Sequence, residues 1–599
     1  MRSTPTLSNG QKQTLMTTTF LGYDHNEIIR DGEMYDMRNL SGDQYPLMTL
    51  RKKRAWTSFE ASQVDYPLTG IDGRDQLTLI VGTRVYWNFQ QVLNLTVSDA
   101  PADCPKQIVN FGAYVLIFPD KKYFNTINLE DVGSIDRLFS VSGSSVTLQM
   151  CRGDGTNYDM SQISVGTSPP SSPANGKMWI DQSGDNDVLR QYSAATEEWL
   201  EVATTFVKIG ATGIGTGLTT WDAVTISGLA KNSASAKVKA QIEKINGSKI
   251  IYSVGENYIV VAGIISQTQA SLDSVTVRVD RKIPDMDYIV ESNNRLWGCR
   301  YGLSGSTVVN EIRCSALGDF RNWERFLGNS QDSYVASVGT DGPFTAAVTQ
   351  KGYPVFFKEN CVHQVWGSAP SSFQIKATVC RGVQLGSYRS AVVVNENVYY
   401  KAREEIMMFD GSMPVSVSPQ LGSVLYSDAR AGALGNKYYI SMKDRSNHWV
   451  LMTYDTQTNV WYKEDDFQAL GFGKVGDELF AIGGDNLLWS MRGTVGTAES
   501  DLSWMATFGL WGTDYKGKKY LSRFEIRMYL PEDAVAKMWI QYDSDGVWRE
   551  RGEIRGNKLK SFVLPIVPRR CDHLKVKLEG TGDMRIYAIS RIMEGGNDG

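Results

Sequence analysis

The stretch from Pro284 to Arg492 decides the fold. It contains Asn294-Arg295-Leu296-Trp297-Gly298, Tyr353-Pro354-Val355-Phe356-Phe357, Val362-His363-Gln364-Val365-Trp366-Gly367 and Asn397-Val398-Tyr399-Tyr400. It continues with Ile406-Met407-Met408-Phe409-Asp410-Gly411, Lys437-Tyr438-Tyr439-Ile440-Ser441, Trp449-Val450-Leu451-Met452-Thr453-Tyr454-Asp455 and Glu478-Leu479-Phe480-Ala481-Ile482-Gly483. Each phrase is a short run of β-branched and aromatic residues bounded by Gly, Asn, Asp or Pro, the signal of a strand. Repetition every ~10–15 residues over ~200 residues predicts a radially repeated sheet, a β-propeller, in an all-β chain.

Outward from this stretch the rhythm changes four times. Residues 1–60 form a turn-rich segment with the first strands, and 61–142 supply the first blades, as in Leu77-Thr78-Leu79-Ile80-Val81 and Tyr114-Val115-Leu116-Ile117-Phe118. Residues 143–280 break the pattern and read as inserted small β modules, opened by Pro169-Pro170-Ser171-Ser172-Pro173, with one short helix over 234–245. Residues 281–498 hold the remaining blades. Residues 499–599 alternate strictly between apolar and polar, as in Leu574-Lys575-Val576-Lys577-Leu578, and predict a C-terminal β-sandwich.

Composition narrows the function. A chain of 599 residues exceeds one ordinary core, and 42% hydrophobic content supports several. With 62 basic and 66 acidic residues the net charge is −4, which gives no global electrostatic case for nucleic-acid or anionic-membrane binding. No apolar run reaches the ~20 residues of a spanning helix, and the polar N-terminus lacks a signal-peptide core, so synthesis in a cytoplasm is expected. Seven scattered cysteines without a CxxC pattern read as buried thiols, and Cys104 is among them.

Local motifs give little chemistry. The basic run Arg51-Lys52-Lys53-Arg54 reads either as a solvated strand start or as a contact with a phosphate backbone or an acidic neighbouring subunit. Three turns, Tyr192 to Trp199, Tyr454 to Trp461 and Tyr542 to Trp548, share an aromatic–turn–Trp form. Cross-strand aromatic pairing across a hairpin accounts for that form, and carbohydrate stacking is its alternative. Asp181 to Asp187 has alternating acidic residues like a calcium loop but lacks the Glu at the twelfth position, so a hairpin turn is preferred. Gly213, Gly215 and Gly217 lack the helix that would complete a phosphate cradle. The four histidines show no metal spacing, and no nucleophile elbow is present. The chain is therefore read as a non-enzyme without cofactor or metal.

Two phrases carry a resemblance. Asn293-Asn294-Arg295-Leu296-Trp297-Gly298, followed by Ser315-Ala316-Leu317-Gly318-Asp319-Phe320-Arg321-Asn322-Trp323, is similar to the propeller of bacteriophage tail nozzle proteins, also called tail tubular or hub proteins. Leu385-Gly386-Ser387-Tyr388-Arg389-Ser390, with Glu404 to Gly411, resembles the next part of that pattern. The resemblance implies a structural protein of the virion tail. It implies about six copies in a homo-oligomeric ring beside the portal, adaptor and other tail proteins, forming or capping the channel for double-stranded DNA at ejection. The alternative is a baseplate or host-attachment protein that grips surface glycan. In that reading Trp504, Trp511, Trp539 and Trp548 include exposed stacking platforms.

Overall fold

In the computed structural model the described residues are 12–57, 67–99, 106–514, 517–556 and 558–595. Cys104 lies outside them. The chain is almost entirely β, with one α-helix, Ala236–Ile245, and no helix among the described residues is long and apolar enough to cross a membrane.

Seven antiparallel sheets of four or five strands dominate. Sheets I and II run from Leu68–Gly73 to Gln90–Thr96 and from Gln107–Phe111 to Val132–Ser134. Sheets III, IV, V and VI begin at Tyr288–Ser292, Phe344–Gln350, Val392–Val394 and Tyr426–Leu434. Sheet VII begins at Ala469–Val475. The first strands touch in cyclic succession, I to II to III and onward, and the last contact returns from Ala469–Val475 to Leu68–Gly73. In sheets I, IV, VI and VII the first strand carries a register shift, a bulge that re-aims backbone groups inward. One result is that the carbonyl of Thr69 accepts from the amide of Lys106 and ties sheet I to sheet II.

Sheet VII is built from both ends of the ring's sequence. Leu488–Ser490 pairs with the N-terminal strand Ala55–Thr57, which also takes Thr497–Ala498 on its other side. The strand that precedes sheet I in sequence therefore completes sheet VII.

The segment 1–60 is not a separate turn-rich region, and the C-terminal sheets do not stand alone. Lys12–Thr17 and Met48–Leu50 pair with Arg585–Gly595, and Met34–Arg38 pairs with Ser503–Phe508. Six-stranded and five-stranded sheets result, with Leu521, Phe524 and Ile526 of one and Met538, Ile540, Val576 and Leu578 of the other in a single buried cluster. That cluster continues through Phe20, Tyr23 and Met37 into Tyr438, Met452 and Trp461 of sheet VI. The join is tight: Tyr23 N donates to the Trp461 carbonyl at 2.7 Å. Gly22, at φ +74°, lies so close that a Cβ there would sit 2.3 Å from that carbonyl oxygen.

Residues 140–280 form an insertion with its own core of Ile209, Val224, Ile242, Ile259 and Val279 among others. Its seven-stranded sheet carries the helix, capped by Ser235 Oγ accepting from Val238 N. A four-stranded unit from Ile163–Gly166 to Glu198–Glu201 branches from it. The insertion leaves and re-enters the ring side by side, where Arg137 and Arg281 exchange backbone hydrogen bonds.

Arg51 and Arg54 clamp the closure. Arg54 donates to Glu464 at 2.6 Å and to Asp465 at 2.9 Å, while Arg51 donates to Glu499 at 2.7 Å and to Asp465 at 3.1 Å. Burial alone would raise the Asp465 carboxyl, but Arg54 and Arg51 outweigh it and hold its pKa below the usual range. The native state thus binds this proton less readily than the unfolded chain. The stabilisation is complete above the ordinary carboxylate range near pH 4 and is lost as pH falls below it. Arg54→Met leaves Arg51 as the one remaining counter-charge for Glu464 and Asp465, at 3.9 and 3.1 Å, and is expected to cost about 3 kcal/mol in equilibrium denaturation. The same variant should also flatten the acid limb of the wild-type stability–pH curve.

Candidate functional site

Two places concentrate polar side chains: the hub of the seven sheets and the outer face of the five-stranded C-terminal sheet.

All seven first strands line one hub cavity of about 310 Å³, through residues such as Asp72, Ile108, Ile289, Ala347, Ala431 and Phe472. Arg389 lines it, donating to the Lys106 carbonyl at 2.8 Å, the Tyr388 hydroxyl at 2.9 Å and the Leu470 carbonyl at 3.3 Å. Leu470 lies inside the bulge of sheet VII, so the shifted register supplies the acceptor. Beside it, the Tyr288 and Tyr388 rings lie 5.4 Å apart. A neighbouring space of about 650 Å³ includes Asp287 and Asp428, each already paired, with Arg300 and Lys443. Cavities of these sizes suit small molecules, and no duplex with a groove ~12 Å wide passes through them.

The two phrases quoted above build this ring. Arg295 is buried and donates to the carbonyls of Ser315, Ser330 and Asp332, pinning the loop after sheet III's third strand. Trp323 and Phe320 from that loop pack with Phe111 and Leu116 of sheet II. In the second phrase, Ser390 Oγ accepts from Lys401 N, its carbonyl accepts from Tyr438, and Arg389 is thereby aimed at the hub.

The basic run divides by side. Arg51 and Arg54 are 6% and 1% exposed and committed to internal carboxylates, so neither can meet DNA or a neighbouring subunit. Lys52 and Lys53 stay outside, Lys53 paired with Asp501 at 2.8 Å. The tryptophans divide too. Trp504 and Trp511 are buried and offer no exposed platform, whereas Trp539 and Trp548 are half-buried on the outward face. Of the three aromatic turns, Tyr192 with Trp199 and Tyr454 with Trp461 are cross-strand pairs, their rings 5.4 and 4.8 Å apart. The third differs: Trp548 lies in a loop and covers Lys577 instead of pairing with Tyr542. In the calcium-like loop Asp181 accepts from Ser183 and Arg190, and Asp187 Oδ2 accepts from Gln182 and from Gln241 of the helix, while Lys237 of the helix faces Asp187 Oδ1 at 3.6 Å.

The outward face forms a groove of about 870 Å³, lined by Tyr35, Arg38, Lys537, Trp548, Lys575 and Lys577, with Asp36 and Glu579. Alternation places these side chains: Leu574, Val576 and Leu578 point into the core, so Lys575, Lys577 and Glu579 point out. That period was visible in the sequence. The contribution of Tyr35 and Arg38 was not, because their strand joins the sheet from the other end of the chain.

Asp72 gives the hub a titration. Burial raises its carboxyl to about 6, although Asn110 donates to it at 2.6 Å. Between the ordinary carboxylate value and about pH 6 the native state holds this proton more tightly than the unfolded chain, so stability falls as pH rises through that window. Asp72→Asn is expected to raise the unfolding midpoint at pH 8, by the equivalent of about 2 kcal/mol. It should match wild type near pH 4 in thermal melts across the range.

No family model and no curated protein matches the chain. Among solved structures, an exo-β-1,3-galactanase from Phanerochaete chrysosporium aligns at 8% identity over 51% of this chain and 95% of its own, with a TM-score of 0.20. PorZ, a surface component of the type-IX secretion system of Porphyromonas gingivalis, aligns at 12% identity over 89% and 77%, with a TM-score of 0.25. A glycoside hydrolase aligns at 11% identity over 50% and 96%, with a TM-score of 0.19. Scores this low carry no argument about fold or function.

Proposed function

We propose that this chain is a structural subunit of a bacteriophage tail, of the nozzle or hub type. In this reading the seven sheets are the blades of a closed β-propeller that carries the 140–280 insertion and is braced by a C-terminal sandwich. Copies of the chain associate into a ring around the DNA path. The observation that carries the reading is that both phrases shared with nozzle proteins are structural parts of the blade assembly. Arg295 and Trp323 staple sheets II and III, and Arg389 ties sheets across the hub. A hub this narrow makes each propeller a piece of wall, so the DNA path runs between copies and not through a blade ring.

The contact between copies is assigned to the hairpin tip of sheet III. Residues 302–309 run past the pairing of the first and fourth strands and pair only with each other. At the tip Leu303 and Val308 stand directly opposite and are 66% and 74% exposed. An apolar cross-strand pair held out in water is the kind of surface that self-association buries.

Negative-stain microscopy with mass photometry on the full chain is expected to reveal closed rings of about six copies with an open centre. Leu303→Glu combined with Val308→Glu should shift the population to monomers without changing the melting temperature. A chain that stays monomeric to its solubility limit, with the double variant indistinguishable from it, would sink the reading.

A further inference from the structure

The groove on the C-terminal domain has no part in closing the ring or stapling its sheets. We infer that it is a binding site for an acidic polysaccharide, a chain of sugars bearing carboxylate or sulfate groups. Two of its cations lack a counter-charge. Lys577 pairs with Glu579 at 2.9 Å and Lys537 with Glu550 and Glu553 at 3.5 and 3.6 Å, whereas Arg38 and Lys575 have no carboxylate partner among the described residues. Lys575 lies 5.0 Å over the Tyr35 ring. Lys577 sits between two indoles, 5.2 Å from Trp539 and 5.3 Å from Trp548.

A donor without an acceptor adds a second observation. The Nε1 of Trp539, which stands opposite Lys577 on the outward face, has no hydrogen-bond partner among the described residues. A buried N–H without an acceptor is costly, so the site favours an occupant rich in acceptor oxygens.

The class follows from the mixture. Half-buried Trp548 offers indole surface to a sugar ring, the Tyr35 ring being stacked on His25 at 4.4 Å, and Lys575 and Arg38 take its acidic groups. Asp36, paired with Lys463 at 2.8 Å, and Glu579, paired with Lys577 at 2.9 Å, keep oxygens that accept from sugar hydroxyls. A neutral glycan would leave Lys575 and Arg38 without counter-charge.

The test uses the full-length chain with polygalacturonate oligomers, dextran sulfate, neutral dextran and a DNA duplex, followed by calorimetry and tryptophan fluorescence. Saturable binding of polygalacturonate or dextran sulfate, with altered tryptophan emission, is expected. Neutral dextran should bind at least tenfold more weakly, and the stronger of the two acidic probes tells carboxylate from sulfate recognition. Lys575→Ala with Lys577→Ala should weaken binding at least tenfold. Lys575→Glu, which leaves the Lys577 stack intact, should do the same with an unchanged melting temperature. Wild-type affinity in Lys575→Glu, equal binding of neutral and acidic dextrans, no binding of either polyanion, or tighter binding of the duplex than of the glycans would each overturn the assignment. Ring formation is read separately, so failure here does not bear on the association of copies.

Discussion

A circle of sheets has one seam, and an open seam leaves a row of unpaired amides and carbonyls as a template for other chains. Here the seam is joined by Ala55–Thr57, three residues drawn from the far end of the sequence and held between Leu488–Ser490 and Thr497–Ala498. So short a strand offers few ladder hydrogen bonds. The two arginines just before it supply the remaining hold, by engaging three carboxylates on sheet VI and on the segment entering the C-terminal domain. The clamp therefore fixes the ring seam and the domain junction at once, and the continuous core from Phe20 to Trp461 and Met538 depends on it.

The two polar regions are satisfied to different degrees. In the hub, Arg389 spends its donors on the Lys106 carbonyl, the Leu470 carbonyl inside the bulge of sheet VII and the Tyr388 hydroxyl, and the acidic groups beside it have partners. Polar groups with near-complete internal partners rigidify a structure. On the C-terminal face Arg38 and Lys575 have no carboxylate partner among the described residues, and the Trp539 Nε1 has no acceptor. The first arrangement is that of a brace, and the second is that of a surface waiting for acceptors.

How much of this was legible depended on the range of the interaction. Strand rhythm is local, so phrases such as Tyr353 to Phe357 could be read directly, as could the helix signalled by Ser235 and the 3.6-residue spacing of Val238, Ile242 and Ile245. Partnership is not local. Arg51-Lys52-Lys53-Arg54 resembled a solvated run because arginine is seldom buried, and the carboxylates that bury it lie 410 to 448 residues away. The C-terminal alternation was plain, but nothing in it showed that Lys12–Thr17, Met34–Arg38 and Met48–Leu50 complete those sheets. The tryptophans illustrate parity. Trp504 and Trp539 lie in strands of one sheet and look alike in sequence, and only the register puts one inside and the other on the outward face.

The pairing across the seam also imposes an order in time. Arg54 leaves the ribosome long before Glu464, its partner 410 residues on. At ~5–20 residues per second the N-terminal strand waits roughly 20–80 s for its partner. Throughout that interval Ala55–Thr57 and the first strands of the C-terminal sheets are apolar edges without a mate. Contacts of such long sequence separation form late and slowly. Nascent chains of this protein are therefore exposed to edge-to-edge association with their neighbours on the same message, and premature termination anywhere before residue 490 leaves every copy with an open edge.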